Sequence, residues 1–396
     1  MSAAPSAARI SPTVKGLSVV SLFNDLASEM VYPLLPALVT GPLGAGALAL
    51  GILDGAAEVT SAVIKVVSGR LADRPRWRAP LILGGYATAV LVRPLIAIAG
   101  AAWQVVGFRI IDRVGKGLRT PARDALIAEV TPPELRGRAF GLHRAADHFG
   151  AVLGSVAAWW LLDRGLAARD VIGWSALPGV IAFLVLAVLP RGTGAAGDRV
   201  RSRVEATHPA DAAGRIFWEP VLVLAALTFS RLPEALLLLR LQDLAVPVSV
   251  IPLVWGGLHV VRSAGSYPGG WVSDRLGPRA TVAAGGLLFA LVAIALAGRL
   301  SPAGAVAVFL LLGPVAGLTE SAERALVARL SPVRTGRRFG IYHALIGATA
   351  LPAGVAFGTL YQQAGGPAAL GASAAAMVVA VTMWLAVTTT GAKGTG

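Results

Sequence analysis

The chain has 396 residues; the AVILMFWYC set makes up 55% of it, 47 residues are glycine, and 14% are charged. With a mean hydropathy of +0.70, against about 25% charged residues in soluble domains, these totals exclude a water-soluble globule and a disordered chain and call for an integral membrane protein. The formal net charge of +14 comes from arginines scattered between apolar runs, not gathered on a polar face beside stacking aromatics, which argues against a nucleic-acid partner. The absence of cysteine excludes disulfides, thiolate metal sites and thiol catalysis.

Residues Met1 to Thr13 lack the apolar core of a cleavable signal peptide, so the first hydrophobic segment is expected to stay in the mature chain. A membrane-crossing helix needs about 20 mostly apolar residues. Twelve such spans follow in order: 14–38, 45–71, 79–100, 102–124, 138–163, 169–189, 218–241, 246–272, 280–298, 303–327, 338–362 and 367–389. Short connections are rich in glycine and proline, as in Gly41-Pro42-Leu43-Gly44. The one long polar gap, Pro190 to Arg215, predicts an N-terminal six-helix bundle over 1–189, a linker over 190–217 and a C-terminal bundle over 218–396.

Arginine placement orients the spans, because Lys and Arg in short loops stay cytoplasmic. Arg74, Arg76 and Arg78 lie between spans 2 and 3, and Arg136 and Arg138 between spans 4 and 5. The central gap holds Arg191, Arg199, Arg201, Arg203 and Arg215, Arg275 and Arg279 follow span 8, and Arg334, Arg337 and Arg338 follow span 10. Opposite loops hold Arg164, Arg169, Arg240 and Arg299. Both termini are therefore expected in the cytoplasm, with the chain in the cytoplasmic (inner) membrane.

An internal repeat runs through the chain. Gly69-Arg-Leu-Ala-Asp73-Arg74 recurs as Gly270-Trp-Val-Ser-Asp274-Arg275. The stretch from Lys116-Gly117-Leu118 to Ala128 aligns with the one from Ala316-Gly317-Leu318 to Ala328, and Gly137-Arg-Ala-Phe-Gly-Leu-His143 aligns with Gly336-Arg-Arg-Phe-Gly-Ile-Tyr342. Three collinear polar-glycine matches mark a duplication of a six-helix unit.

Gly-x-x-x-Asp-Arg after span 2, repeated after span 8, resembles the signature loop of the major facilitator superfamily. Arg109 to Gly117 on span 4, spaced R-x7-G, resembles that family's second motif, whose arginine is linked to proton coupling in many members. The string from Asp112 to Asp124, with Phe23-Asn-Asp-Leu-Ala-Ser-Glu29 on span 1, is similar to a bacterial exporter-type branch. The sequence departs from the family pattern at Arg76, where a glycine is usual, and at Ser155, where the span 5 antiporter cluster has proline. The resemblance implies an all-α membrane protein of twelve transmembrane helices in two pseudo-symmetric six-helix bundles. It implies that Gly69, Asp73, Arg74, Gly270, Asp274 and Arg275 form gating loops, which read equally as structural clamps.

Ionisable side chains inside a span cost about 2.5–3.5 kcal/mol on insertion scales, so they normally face a cavity or a partner. Asp25 and Glu29 lie four apart on span 1, hence on one face. Asp54 and Glu58 repeat that spacing on span 2, ahead of Lys65. Span 4 carries Arg109, Asp112, Arg113 and Lys116 as one stripe, then Arg119 and Arg123; span 5 carries His143, Arg144, Asp147 and His148. The second half adds Arg231, Glu234, His259, Arg262, Glu320, Glu323 and His343. Spans 6, 9 and 12 have no interior charge and span 3 has Arg93 alone. Spans 3, 6, 9 and 12 are therefore expected outside, and the other eight around one polar cavity.

These residues point to a secondary transporter with no cofactor and no enzymatic motif, whose partners are the lipid bilayer, protons and a small-molecule substrate, acting as a monomer. The cavity expected to couple protons and hold substrate comprises Asp25, Glu29, Glu58, Arg109, Asp112, Arg113, Arg144, Asp147, His148, Arg231, His259, Arg262, Glu320, Glu323 and His343. Asp25, Glu29 or Glu58 would carry the proton, with Arg109 and Arg144 as counter-charges; Asp112, Arg113 and Lys116 fit salt bridges as well as substrate contact. Arginine forks suit carboxylate or phosphate, so proton-coupled efflux of a small anionic or zwitterionic organic solute by alternating access is the leading expectation. The alternative is a divalent transition-metal exporter using the carboxylates and histidines as ligands.

Overall fold

The computed structural model describes residues 10–131, 136–189, 214–329 and 335–392. Most of the expected linker, residues 190–213, and Arg334 lie outside the described residues, as do the side chains of Arg136, Arg138, Asp274, Arg337 and Arg338 and the surroundings of Gly270.

Twelve helical spans run through the described residues. α1 is Pro12–Val31, continued through a 3₁₀ turn at Tyr32–Leu34 into Leu35–Thr40; α2 is Ala47–Ala72. α3 is Pro75–Val92 with the 3₁₀ segment Pro94–Ile98, α4 is Ala102–Glu129, α5 is Arg136–Asp163, and α6 is Ala168–Trp174 with Ala176–Val188. The second half begins with α7, Gly214–Phe229 and Glu234–Asp243, then α8, Ile251–Leu276, and α9, Pro278–Ala297. α10 is Pro302–Leu310 with Leu312–Arg329. The last helical stretch, Thr335–Ala392, is broken at Gly365, whose φ of 84° suits a residue without Cβ; α11 runs to residue 364 and α12 from 366.

The chain thus contains the twelve spans read from hydropathy, with boundaries shifted by up to about five residues, as where α3 starts at Pro75 and α4 runs on to Glu129. α7 starts at Gly214, so residues 214–217 of the expected linker are helical. α8 starts at Ile251, not at 246, because Pro252 favours a helix start there and Pro247–Val250 forms a turn before it. Prolines also accompany three of the internal breaks: Pro33 in α1, Pro94 in α3 and Pro233 before the second part of α7.

Seven stretches are long and apolar enough to cross a membrane on length and composition alone, and Tyr342–Val387 among them holds both α11 and α12. The helices outside that set are α1, α4, α5 and α8. Each carries ionisable residues along its length, as expected of helices that shield polar faces from lipid. Leu91, Ile98, Trp103, Val188 and Leu291 are exposed apolar side chains suited to a hydrocarbon surround.

Within the first half α1 packs on α5 and α6, α2 on α4, and α3 on α4. Within the second, α8 and α9 pack on α10, and Gly286 of α9 abuts Met377 and Val381 of α12. The halves meet along α2 with α11 and α5 with α8. A Cβ on Gly51 would lie 1.9 Å from the Gly354 carbonyl oxygen, and one on Gly256 would lie 2.8 Å from Ser155 Cβ. Both approaches lie toward the end of the bundles remote from the termini. There a buried cluster including Leu34, Leu38, Leu50, Leu53, Leu236 and Leu238 crosses from one half to the other. The far end is sealed by backbone contact and apolar packing.

Candidate functional site

The polar stripe of α4 is built by helical spacing: residues 109, 112, 113 and 116 fall on one side of the helix. Its deepest member is Asp112, 1% exposed, whose Oδ1 accepts from Arg93 Nε at 2.9 Å and whose Oδ2 lies 3.6 Å from Arg109 Nη1. Arg93 reaches it because α3 breaks at Pro94, and its Nη1 also donates to the Asn24 carbonyl on α1 at 2.9 Å. Lower on α4, Arg119 donates to the Gly85 carbonyl at 3.2 Å and lies over the Tyr86 ring, and Arg123 donates to Ser21 Oγ at 3.2 Å. These groups bind α1, α3 and α4 into one body.

On the other side of that body lies a cavity of ≈ 520 Å³ between the halves, a volume in the range of small-ligand pockets. Of the residues expected to line it, Glu29, Glu58, Arg109, Arg113, Arg231, His259, Arg262 and Glu320 do so. Asp25, Asp112, Arg144, Asp147, His148, Glu323 and His343 are not on its wall. Asp112 is buried behind it, and Asp25 is bonded by Asn24 Nδ2 at 2.9 Å. Asp147 lies 3.7 Å from His143 on α5, Arg144 is exposed, and His148 is half-buried on that helix. Glu323 accepts from Tyr342 at 2.7 Å and lies 3.4 Å from Arg231, while the His343 ring is tilted against that of Tyr342, 5.0 Å between centres.

The eight-helix enclosure expected from charge is amended at two points. α5 supplies no wall residue, its Gly150 and Gly154 packing closely on α1 within its own half, and α9 supplies Phe289.

The wall also holds Tyr32, Asp54, Lys116, Glu234 and Trp255 from outside the expected cavity set, Lys116 from the α4 stripe already read as fit for substrate contact. Asp54 and Glu234 were visible as intramembrane carboxylates, whereas Tyr32 and Trp255 carry no charge signal. Across the halves, Trp255 Nε1 donates to Glu29 Oε2 at 2.6 Å, and His259 Nε2 lies 3.7 Å from the same oxygen. Glu29 therefore makes its direct contacts across the interface, with Arg109 within electrostatic reach as a counter-charge. Arg109 itself lies over the Tyr32 ring, 4.9 Å from its centre. Arg262 pairs with Glu234. Glu58 is within electrostatic reach of Arg113 and Lys116. Arg113 Nε and Arg109 Nε are buried with no hydrogen-bond partner among the described residues, a condition that costs about 1–3 kcal/mol per group unless water or a solute satisfies it.

The expected gating loop at Gly69, Asp73 and Arg74 ends α2 and is exposed at Asp73 and Arg74. It is fastened by Arg78, whose Nε donates to the Ala72 carbonyl at 2.8 Å and whose Nη1 pairs with Glu129 at the end of α4. Arg275 is exposed at the corresponding end of α8.

The Major Facilitator Superfamily model matches residues 17–237, more than half of the chain. The chain belongs to the Major Facilitator Superfamily. The MFS-type transporter MJ1317 of Methanocaldococcus jannaschii is 28% identical over 363 residues, 89% of each chain. The multidrug resistance protein MdtH of Edwardsiella ictaluri is 30% identical over 146 residues, 37% of this chain and 36% of MdtH. The crystal structure of a bacterial homolog to the human lysosomal transporter Spinster superposes with a TM-score of 0.66 at 18% identity, covering 94% of both chains. That likeness shows the major facilitator fold, two six-helix bundles with the cavity between them, and the family match makes the chain a multi-pass membrane transporter.

Proposed function

We propose that this transporter exports a small anionic or zwitterionic organic solute in exchange for inward-moving protons, by rocking its two bundles about the central cavity. One observation carries the reading: Arg109, Arg113 and Lys116 present successive cationic groups from one face of α4 into a cavity whose wall also holds Glu29, Asp54, Glu58, Glu234 and Glu320. The cations suit a carboxylate or phosphate; the carboxylates suit an ammonium group or a proton. Glu29 and Glu58 are on the cavity wall and are the carboxylates assigned to coupling; Asp25 belongs to the α1–α4–α5 side. The partial-length similarity to MdtH, a multidrug resistance protein, supports export as the direction. The arginine distribution supports an inner-membrane orientation with both termini cytoplasmic, and one chain forms the whole cavity, as a monomer requires.

A divalent-metal exporter would need converging ligands. Among the described residues no group of three His, Asp or Glu side chains is placed to hold an ion, so no observation favours that second reading.

The test is uptake into inverted proteoliposomes with an imposed pH gradient, using a panel of carboxylates, phosphates, amino acids and organic cations. Gradient-driven accumulation of an anion or zwitterion that collapses with a protonophore is the expected result. Transport confined to monovalent organic cations, or indifferent to the gradient, overturns it.

A further inference from the structure

The acceptors on the cavity wall are already engaged. Glu29 Oε2 accepts from Trp255 Nε1 at 2.6 Å, and Glu234 pairs with Arg262. Asp54 Oδ2 accepts from Tyr32 O–H at 3.0 Å and, at 2.8 Å, from the Ala235 N–H, which it caps at the start of the second part of α7. Glu58 stands within reach of Arg113, Lys116 and Lys65, and Glu320 within reach of Arg262. Each wall carboxylate thus faces a cation or a donor that the protein itself supplies.

The donors are in a different state. Nε of Arg109, Arg113 and Arg231 is buried with no acceptor among the described residues, and all three side chains line the cavity. Arg109 is 2% exposed, and the oxygen nearest its Nη1 belongs to Asp112, which Arg93 already holds. Buried donors are ordinarily satisfied, so these are groups for which a bound solute can supply the acceptor.

The opposite side of the cavity is apolar. α9 and α11 bring Phe289, Ala350 and Ala353 to the wall and no ionisable group, and α10 adds Leu312, Val315 and Ala316 ahead of Glu320. The cationic face of α4 belongs to the first half and this apolar face to the second. A solute filling the space meets charge from one bundle and hydrocarbon from the other.

We propose that the solute is an amphiphilic organic acid: its anionic group is held by Arg109, Arg113 and Lys116, its apolar body lies against Phe289, Leu312 and Val315, and it carries no ammonium group. The proposal rests on the transport reading above and narrows its choice between anion and zwitterion. An ammonium brings three more donors into a site whose acceptors are spent, and beside Glu58 it meets three cations. It must stay unpaired or displace a donor already in place, and either course discriminates against it. The apolar body gains by covering the hydrocarbon wall, which otherwise faces water.

Matched pairs test this, because an α-amino acid and its deaminated acid differ by the ammonium alone. The probes are hydrocinnamate with phenylalanine, indolepropionate with tryptophan, and isocaproate with leucine; propionate is the acid without a body. Dissociation constants are read by isothermal titration at about pH 7, where the carboxyl groups are ionised, on the full chain in lipid nanodiscs with empty nanodiscs as the blank. Each acid is expected to bind about tenfold or more tightly than its amino acid, the scale of one charged group left without its partner, and more tightly than propionate. Arg113→Ala should weaken all three acids and narrow their lead over the amino acids; Lys116→Gln serves if that variant does not fold. Val315→Thr, close in shape but polar, should weaken the three acids and leave propionate unchanged.

Amino acids that bind as tightly as their acids, propionate that binds as tightly as the larger acids, or failure of all three acids to bind overturns the proposal. Uptake into inverted proteoliposomes separates it from the transport reading. Gradient-driven uptake of an amino acid in preference to its acid leaves proton-driven export standing and overturns the substrate class. Binding in the expected order with no gradient-driven uptake of any acid leaves the substrate class standing and overturns proton-driven export.

Discussion

Arg93 and Asp112 form a buried ion pair at 2.9 Å, with side-chain exposures of 5% and 1%, joining a helix with no other interior charge to the stripe of α4. Arg93 Nη1 also holds the Asn24 carbonyl, so three helices converge on one guanidinium.

This pair predicts a stability effect before a transport effect. Arg93→Ala or Asp112→Ala leaves one buried charge without its main partner, which costs about 3–5 kcal/mol in comparable pairs. Thermal unfolding in detergent should show a large loss for either single variant. The double variant Arg93→Met/Asp112→Leu should recover a good part of it, and a double variant as unstable as the sum of the singles would refute the pairing.

The Gly51–Gly354 contact predicts a conformational shift. A Cβ at either position would sit within about van der Waals overlap of the other's backbone, at 1.9 Å and 2.0 Å from the facing carbonyl oxygen. Gly354→Val should therefore push α11 from α2, disfavouring the closed far end by about 1–3 kcal/mol, the usual range for overpacking. The readout is the labelling rate of a single cysteine introduced at Leu53, which is buried in the closed arrangement. Unchanged protection of that site in a folded Gly354→Val protein would contradict the packing argument.

Arg113 and Lys116 predict a binding effect. Neither side chain makes a hydrogen bond or ion pair among the described residues, so removing one should leave the fold intact while removing a recognition group. Arg113→Ala and Lys116→Ala are each expected to weaken an anionic solute about tenfold or more, the scale of a lost hydrogen bond to a charged group. Isothermal titration with whichever anion the transport panel identifies measures this directly.

Glu29 and Glu58 predict separate phenotypes. Glu29→Gln keeps an acceptor for Trp255 Nε1 but loses the charge beside His259. Glu58→Gln loses the negative charge near Arg113 and Lys116. Each should retain solute-induced thermal stabilisation, and the one that carries the coupling proton should lose gradient-driven uptake while keeping solute exchange. If both variants accumulate solute with the parent's pH dependence, the proton resides elsewhere in the cavity.

The sequence determined the spans, their division into two halves, and the cationic face of α4. Those follow from rules that act along the chain: in hydrocarbon each helix must satisfy its own backbone, and residues three and four apart must share a face. Periodicity fixes an angle about the helix's own axis, however, and says nothing of which neighbour stands there. So Asp112 could be placed on the stripe but not matched to Arg93, and Arg144 and Asp147 could be placed on a polar face of α5 that supplies nothing to the cavity wall. Boundaries moved where proline set the helix start, as at Ile251. The cap from Asp54 to Ala235 spans 181 residues, and Glu29 meets Trp255 across 226. Such contacts were decided by the crossing of the two bundles, because hydrogen bonds act over about 3 Å and only the packed interfaces of α2 with α11 and of α5 with α8 bring those groups that close.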